Sequence, residues 1–358
     1  MRTDNYVTNY APHPGLTLAE NLEKLNMSQS ELAKRIGRPE KTISEIVKGI
    51  TAITPETALQ LERALNISAG IWNKLEVNYQ ENKARIESRK KLQGEVSLAE
   101  NYPYKEMALL KWVKETKDKI ERVEELLKFF GVNSLGLVSK VIIPNTNPQI
   151  AFRKHKAKTI SQESLAAWIR KGELEGVNVQ TKEFDEYKLK ELLTEIKKLT
   201  FEKDFDKLLI QLKEKFAECG IALIYVHDLS NTYVCGSTRW ISPNKALIQL
   251  SLRGKYSDIM WFTLFHELGH ILLHGKRERF IDVDEEYKTE SVSESQADNF
   301  ASEQLIPDRL LSTLMQMDET HIKNFAQRLE IHPGIVVGRL HHKKYLEPHM
   351  NNDLRFKF

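Results

Sequence analysis

Cysteine is nearly missing: Cys219 and Cys235 are the only two in 358 residues. They form no Cys-x-x-Cys pair and cannot build a disulfide framework, which points to a reducing cytoplasm and to two semi-buried thiols. Long apolar runs are missing as well. The best run in the last third, Ile221 to Val226, falls far short of a membrane span, and the opening MRTDNYVTNYAPHPG has no apolar stretch of a secretion signal. No membrane partner is expected. A surplus of charge is the third absence: 53 Lys and Arg stand against 50 Asp and Glu, a formal net charge of +3. That balance argues for neither nucleic acid nor membrane, so any basic surface must come from local clustering. What is present is an ordinary globular composition, 41% hydrophobic and 29% charged, on a chain long enough for two or three domains.

The expected fold is mainly α with a C-terminal α+β domain. Residues 1 to 14 read as a loose lead-in. From Thr17 to about Gln80 the sequence predicts five short helices. Thr17 and Glu20 have capping-box spacing, as do Ser28 and Glu31; Gly37 ends the second helix; Thr54-Pro55 opens the fourth and Ser68 the fifth. This gives a compact helical domain over residues 1–80. Residues 81–204 read as a helical linker or middle region, with two long surface helices split by Pro103 and further helices at 162–171, 186–199 and 205–219. Residues 205–358 form the last domain. There the period changes to short β-rich runs at 221–226, 232–234, 238–241 and 246–252, followed by a helix from Ser257 to about His274. A small sheet laid against that helix is the expected architecture.

The helix contains WFTLFHELGHILLHG, with His-Glu-x-x-His spacing. Residues four apart share a helix face, so His266 and His270 can turn their rings to one ion, with Zn2+ favoured by N/O ligation. Glu267 then sits beside the metal, in reach of a water whose proton it can take as general base. Apolar neighbours surround these residues, and a buried helix needs a reason to hold them. Gly269 costs roughly 1 kcal/mol against Ala inside a helix, which a close neighbour or a substrate would explain. Glu294, in SESQADNFASEQLIP, can supply a third ligand, and Asp298 four residues on can orient a ligand histidine. His274 is a rival that reads better as a supporting residue. The bland reading is a pair of ordinary helix histidines. The run Ala246 to Leu252 is expected to be an edge strand open to an extended peptide. Residues 275–293, with the acidic stretch 282–286, read as an insertion loop without a place.

HELGHILLH followed by ESQADNFA and LIP resembles the ImmA/IrrE family of metallopeptidases over roughly residues 205–310. The resemblance implies a zincin-like fold, with His266, His270 and Glu294 as zinc ligands and Glu267 as the catalytic acid. It further implies a protein substrate, typically a repressor-like regulator.

SQSELAKRIGRPEKTISEIVKG has helix-turn-helix form, with Leu32, Ala33, Ile36, Ile43, Ile46 and Val47 as its core. Arg38, Glu40, Lys41, Thr42 and Ser44 would lead into the major groove, while Gln29 and Lys48 would contact phosphates. Lys34 and Arg35 could add to them. The first 80 residues carry nine basic and nine acidic side chains, so a helical protein-interaction module is the bland alternative. The stretch from His13 to Gln80 resembles the HigA-type, XRE-like antitoxin repressors, although Arg38-Pro39 departs from the usual small or polar residues. That resemblance implies a homodimer on an inverted repeat of double-stranded DNA, with its own promoter as the expected operator. Two functions therefore compete. One is a regulator delivering a working zinc peptidase to a substrate or toxin partner. The other is a non-proteolytic antitoxin or repressor whose metallopeptidase-like domain only senses or binds a partner.

Overall fold

The computed structural model describes residues 10–143, 160–283, 291–314 and 318–358. The chain divides into two compact units, Met1–Val96 and Ser97–Phe358.

The first unit is helical: α1 (Pro14–Lys24), α2 (Gln29–Ile36), α3 (Glu40–Val47), α4 (Pro55–Leu65) and α5 (Ala69–Gly94). Its boundaries are local chemistry. The Ser28 hydroxyl accepts the Glu31 N–H at 3.1 Å, and Thr54 accepts the Thr57 N–H at 3.2 Å. Gly37 closes α2 with φ 66°, the left-handed conformation that suits glycine. The first helix begins before Thr17. Pro14 takes its first position and the His13 ring accepts the Gly15 N–H at 2.9 Å, so the cap lies upstream of the expected one. Most of the expected lead-in, residues 1–9, lies outside the described residues. Leu18, Leu32, Ile43, Ile46, Leu61 and Trp72 close the core; Val47 is only partly buried against it.

The second unit opens with short helices. After α6 (Val96–Ala99) and α7 (Tyr104–Leu109) come α8 (Lys119–Phe130) and α9 (Val138–Ile142), then α10 (Gln162–Asn178), α11 (Glu186–Lys198) and α12 (Phe205–Glu218). The two long surface helices expected over 81–130 are not formed: α5 stops at Gly94, and Val123, Leu126 and Phe130 of α8 are buried. Nor do the residues up to 204 form a linker separate from the C-terminal region, because α10 covers one face of the sheet. The sheet runs β1 (Ile221–Tyr225), β2 (Val234–Ser242), β3 (Lys245–Leu250) and β4 (Arg279–Val283), in the order β1-β3-β2-β4. The two β-rich runs at 232–234 and 238–241 are parts of one strand, β2.

Strand β3 pairs in parallel with β1 and antiparallel with β2. The expected free edge is therefore wrong: both backbone sides of β3 are occupied. Its side chains explain why. Ile248 and Leu250 join the core beneath α13 (Ser257–Leu273), while the polar Gln249, 1% exposed, donates to the Trp168 carbonyl of α10 at 2.7 Å. A strand buried on both faces belongs in the middle of a sheet, and its one polar side chain survives there because it is hydrogen-bonded. Around this layer lie α14 (Val292–Leu305), α15 (Asp308–Leu311), α16 (Glu319–Arg328) and α17 (Pro333–His342). The start of α13 is fixed from a distance. Arg355 donates to both Asp258 carboxylate oxygens, at 3.0 and 2.8 Å, and the pair is largely buried.

Candidate metal centre

Helix α13 is apolar nearly all round, and Trp261, Leu264, Phe265 and Leu268 pack it into the core. His266, Glu267 and His270 are buried within it. Helix α14 supplies the other side. Ser291 caps it by accepting the Glu294 N–H at 3.1 Å. The Ser291–Glu294 spacing is that of a capping box, yet the Glu294 carboxylate is turned toward the histidines. Its two oxygens lie 3.2 Å from His266 Nε2 and 3.5 Å from His270 Nε2. The two Nε2 atoms are themselves 3.0 Å apart. One ligand atom from each of the three residues falls within 4.8 Å of the others. Close packing of the two helices brings this about: a Cβ on Gly269 would meet Ala297 Cα of α14 at 3.1 Å. The glycine that is costly in a free helix is the contact point for its neighbour.

The outer partners decide what this cluster can hold. His266 Nδ1 lies 2.8 Å from Asp298 Oδ1, which accepts the ring N–H and leaves Nε2 with a lone pair. His270 Nδ1 lies 3.0 Å from His274 Nδ1, whose Nε2 is 3.0 Å from Gln296 Oε1. If protons run outward along that relay, toward the Gln296 amide oxygen, His270 Nε2 also presents a lone pair. Two imidazole lone pairs and a carboxylate then converge on one point, an acceptor set suited to a cation. The same demand shows in the protonation of the cluster. Burial works against a charged His266, yet hydrogen bonds to Asp298 and Glu294 carry its imidazole up to about 10. The donor set, two His and one carboxylate beside a general base, fits zinc.

Glu267 holds neither ring. Among the described residues its two carboxylate oxygens, fully buried, have no hydrogen-bond partner. Burial pushes its carboxyl up to about 8; His266 opposes that shift, and Asp282 and Glu294 add to it. Its place is made by strand β2. A Cβ on Gly236 would come within 2.4 Å of Glu267 Oε1, so the glycine leaves the cradle that the carboxylate fills. Thr238, two residues on and on the same face, donates to the Glu267 backbone carbonyl at 3.2 Å.

Sequence reasoning missed β4. The insertion read as a loop begins with this strand, paired to β2, and Phe280 stacks on the His270 ring at 3.9 Å between centroids. Asp282 pairs across from Gly236 and so shares the face of Glu267. The alternating run RFIDV was the available signal. Residues 284–290, with the rest of the acidic stretch, lie outside the described residues.

In the first unit, Glu40, Lys41 and Lys48 are exposed on and just after α3, with Thr42 and Ser44 half-exposed between them. Gln29 is half-buried at the start of α2. Arg38 is held back: its guanidinium donates to Gln60 at 2.6 Å and pairs with Glu56 at 3.2 Å, both on α4. Arg35 pairs with Glu31, and Lys41 approaches Glu45 at 3.9 Å. Lys34 is exposed.

Comparison with known proteins divides along the same line. Residues 18–72 match a helix-turn-helix family profile, and residues 236–341 match the profile of the IrrE N-terminal-like domain. Virulence-associated protein A of Dichelobacter nodosus is 40% identical over 70 residues, covering 19% of this chain and 69% of that protein. An uncharacterised helix-turn-helix transcriptional regulator of Escherichia coli K12, YddM, is 34% identical over 65 residues, 18% of this chain and 69% of its own. Among solved structures, a HigA-family addiction module antidote protein from Coxiella burnetii is 35% identical, covering 24% of this chain and 94% of that one, with a TM-score of 0.23. This chain belongs to the helix-turn-helix regulators of the XRE type through its first unit and carries in its second an IrrE-like domain of the M78 peptidase family.

Proposed function

We propose that this chain is a DNA-binding regulator whose second unit is a zinc-dependent endopeptidase acting on a regulatory or partner protein. The observation that carries the reading is the pairing of a cation-seeking acceptor set with a separate, buried carboxylate. His266, His270 and Glu294 would hold the zinc, Asp298 and His274 would orient the two rings, and Glu267 stands beside them in the Gly236 cradle. Zinc supplies Lewis acidity that brings the pKa of a water down to about 7. Glu267 takes the proton of the attacking water and passes it to the leaving amine; a carboxyl whose pKa lies near neutrality is matched to both transfers. A module that only senses or binds a partner has no use for such a base.

The first unit would take double-stranded DNA, with its own promoter as the first candidate operator, and would act there as a homodimer in the cytoplasm. Lys41, Thr42, Ser44 and Glu40 are the side chains offered to base edges, and Gln29 and Lys48 those offered to phosphates. Arg38 would reach DNA only by giving up its partners on α4.

The test is metal analysis together with cleavage. Protein purified without added metal should hold about one zinc per chain, three protein ligands being the usual catalytic set. Glu267→Gln should keep that zinc and lose peptide-bond cleavage by a factor on the order of 10² to 10⁴, the usual worth of a general base. A zinc-free chain after metal add-back, or a variant that cleaves as fast as wild type, defeats the reading.

A further inference from the structure

The recognition helix and its neighbours are poor in uncommitted positive charge. The first 80 residues are electrically balanced, and Arg35, Arg38 and Lys41 each face a carboxylate of their own chain. Duplex affinity, however, comes largely from cations that displace counterions from phosphates. Helix α5 supplies what the others lack. Its last core contacts are Trp72 and Leu75, yet it continues to Gly94. Over residues 82–92 it carries Lys83, Arg85, Arg89, Lys90 and Lys91 against a single acid, Glu87. Arg85 is paired with Glu81; among the described residues Lys83, Arg89, Lys90 and Lys91 have no carboxylate within ion-pair distance, and all four are exposed.

The arrangement on the helix is directional. Tyr79, Lys83, Ile86 and Lys90 follow i, i+4, i+7, i+11 spacing and so form one stripe roughly 16 Å long, with Arg89 beside it and Glu87 at its other margin. The stripe starts beside the end of the recognition helix. The Tyr79 ring packs edge-on against His13 at 4.6 Å, and the His13 ring lies 3.3 Å from where a Cβ of Gly49 would stand, just past α3 and next to Lys48. Lys83 reaches back over the Tyr79 ring at 6.0 Å. A helix that served only to connect two units would need solubility and reach, which charges of either sign provide. One sign on one stripe, leading away from the end of α3, fits a polyanion.

We infer that the projecting half of α5 is a second phosphate-binding element, in which Lys83, Arg89 and Lys90 continue along the backbone of the duplex from Lys48. This rests on the DNA-binding reading of the first unit and adds a sequence-independent contact to it. The test uses the full chain, the duplex upstream of its own coding sequence, and a random duplex of equal length, over a salt series. Lys83→Gln, Arg89→Gln and Lys90→Gln combined should lower the slope of log K against log salt by about 2.7, or about 0.9 for each phosphate no longer neutralised, equally on both duplexes. Lys74→Gln, on the opposite side of α5, should leave the slope unchanged, and Lys83→Arg with Lys90→Arg should retain it. The combined variant should keep wild-type helicity, since the three side chains are exposed. An unaltered slope in that variant overturns the inference, including the case where it loses an acidic protein partner instead. If the wild type binds neither duplex, the DNA-binding reading fails first and this inference with it.

Discussion

The two units place their chemistry in opposite ways. In the first, the side chains offered to a partner stand on the surface of short helices whose ends are set by residues one to three positions away. In the second, the reactive side chains are buried, and they come from α13, α14, β2 and β4, which meet only in the folded unit. A surface site can vary without disturbing the core beneath it. A buried site shares its residues with the core, so a change that spares every ligand can still destroy it.

The largest expected break in this comparison is at Asp258 and Arg355. Neither touches the metal ligands, but together they fix the start of the helix that bears two of them. Asp258→Ala would leave a largely buried guanidinium without its partner, a change that typically costs about 3–5 kcal/mol. Thermal unfolding should show the second unit melting roughly 10 °C lower, while the melting of the first stays where it was. A shift in both would mean that the units are not independent in stability.

Gly236→Ala tests the cradle. Its Cβ would overlap Glu267 Oε1 and stand 2.8 Å from Thr263 Cγ2, so the carboxylate must move. Displacement of a reacting group by about 1 Å can cost on the order of 10² in rate. Turnover should therefore fall by about that factor with zinc content unchanged. If zinc is lost in the same proportion, Gly236 shapes the ligand set and not the base.

The smallest effect belongs to the first unit. Ser28→Ala removes one exposed cap, worth about 1 kcal/mol. It should lower the stability of that unit by this amount and leave metal content and cleavage untouched.

How much of this was legible beforehand follows from the range of the interactions. The caps at Ser28, Thr54 and Ser68, the left-handed Gly37, and the meeting of His266 with His270 are all decided within four residues, and spacing alone exposes them. Glu294 and Asp298 were readable because they too share a helix face. The start of α1 was missed within the same range, since a histidine cap followed by proline is a weaker signal than the Thr17–Glu20 box.

The rest depended on partners far along the chain. Strand β3 looked like an edge because its alternation was read as one apolar and one polar face. Only α10, arriving from residues 162–178, makes the polar face an interior and the strand central. The glycine at 236 reads as punctuation until Glu267 is seen to fill the space above it. The arginine at 355 carries no motif, because its partner lies 97 residues away. The sequence by itself determined which helices form and which residues can bind a metal, since capping and periodicity act locally. Tertiary structure alone decided what lies beside them: burial, strand order and long-range ion pairs depend on which surfaces meet, and no local pattern encodes that.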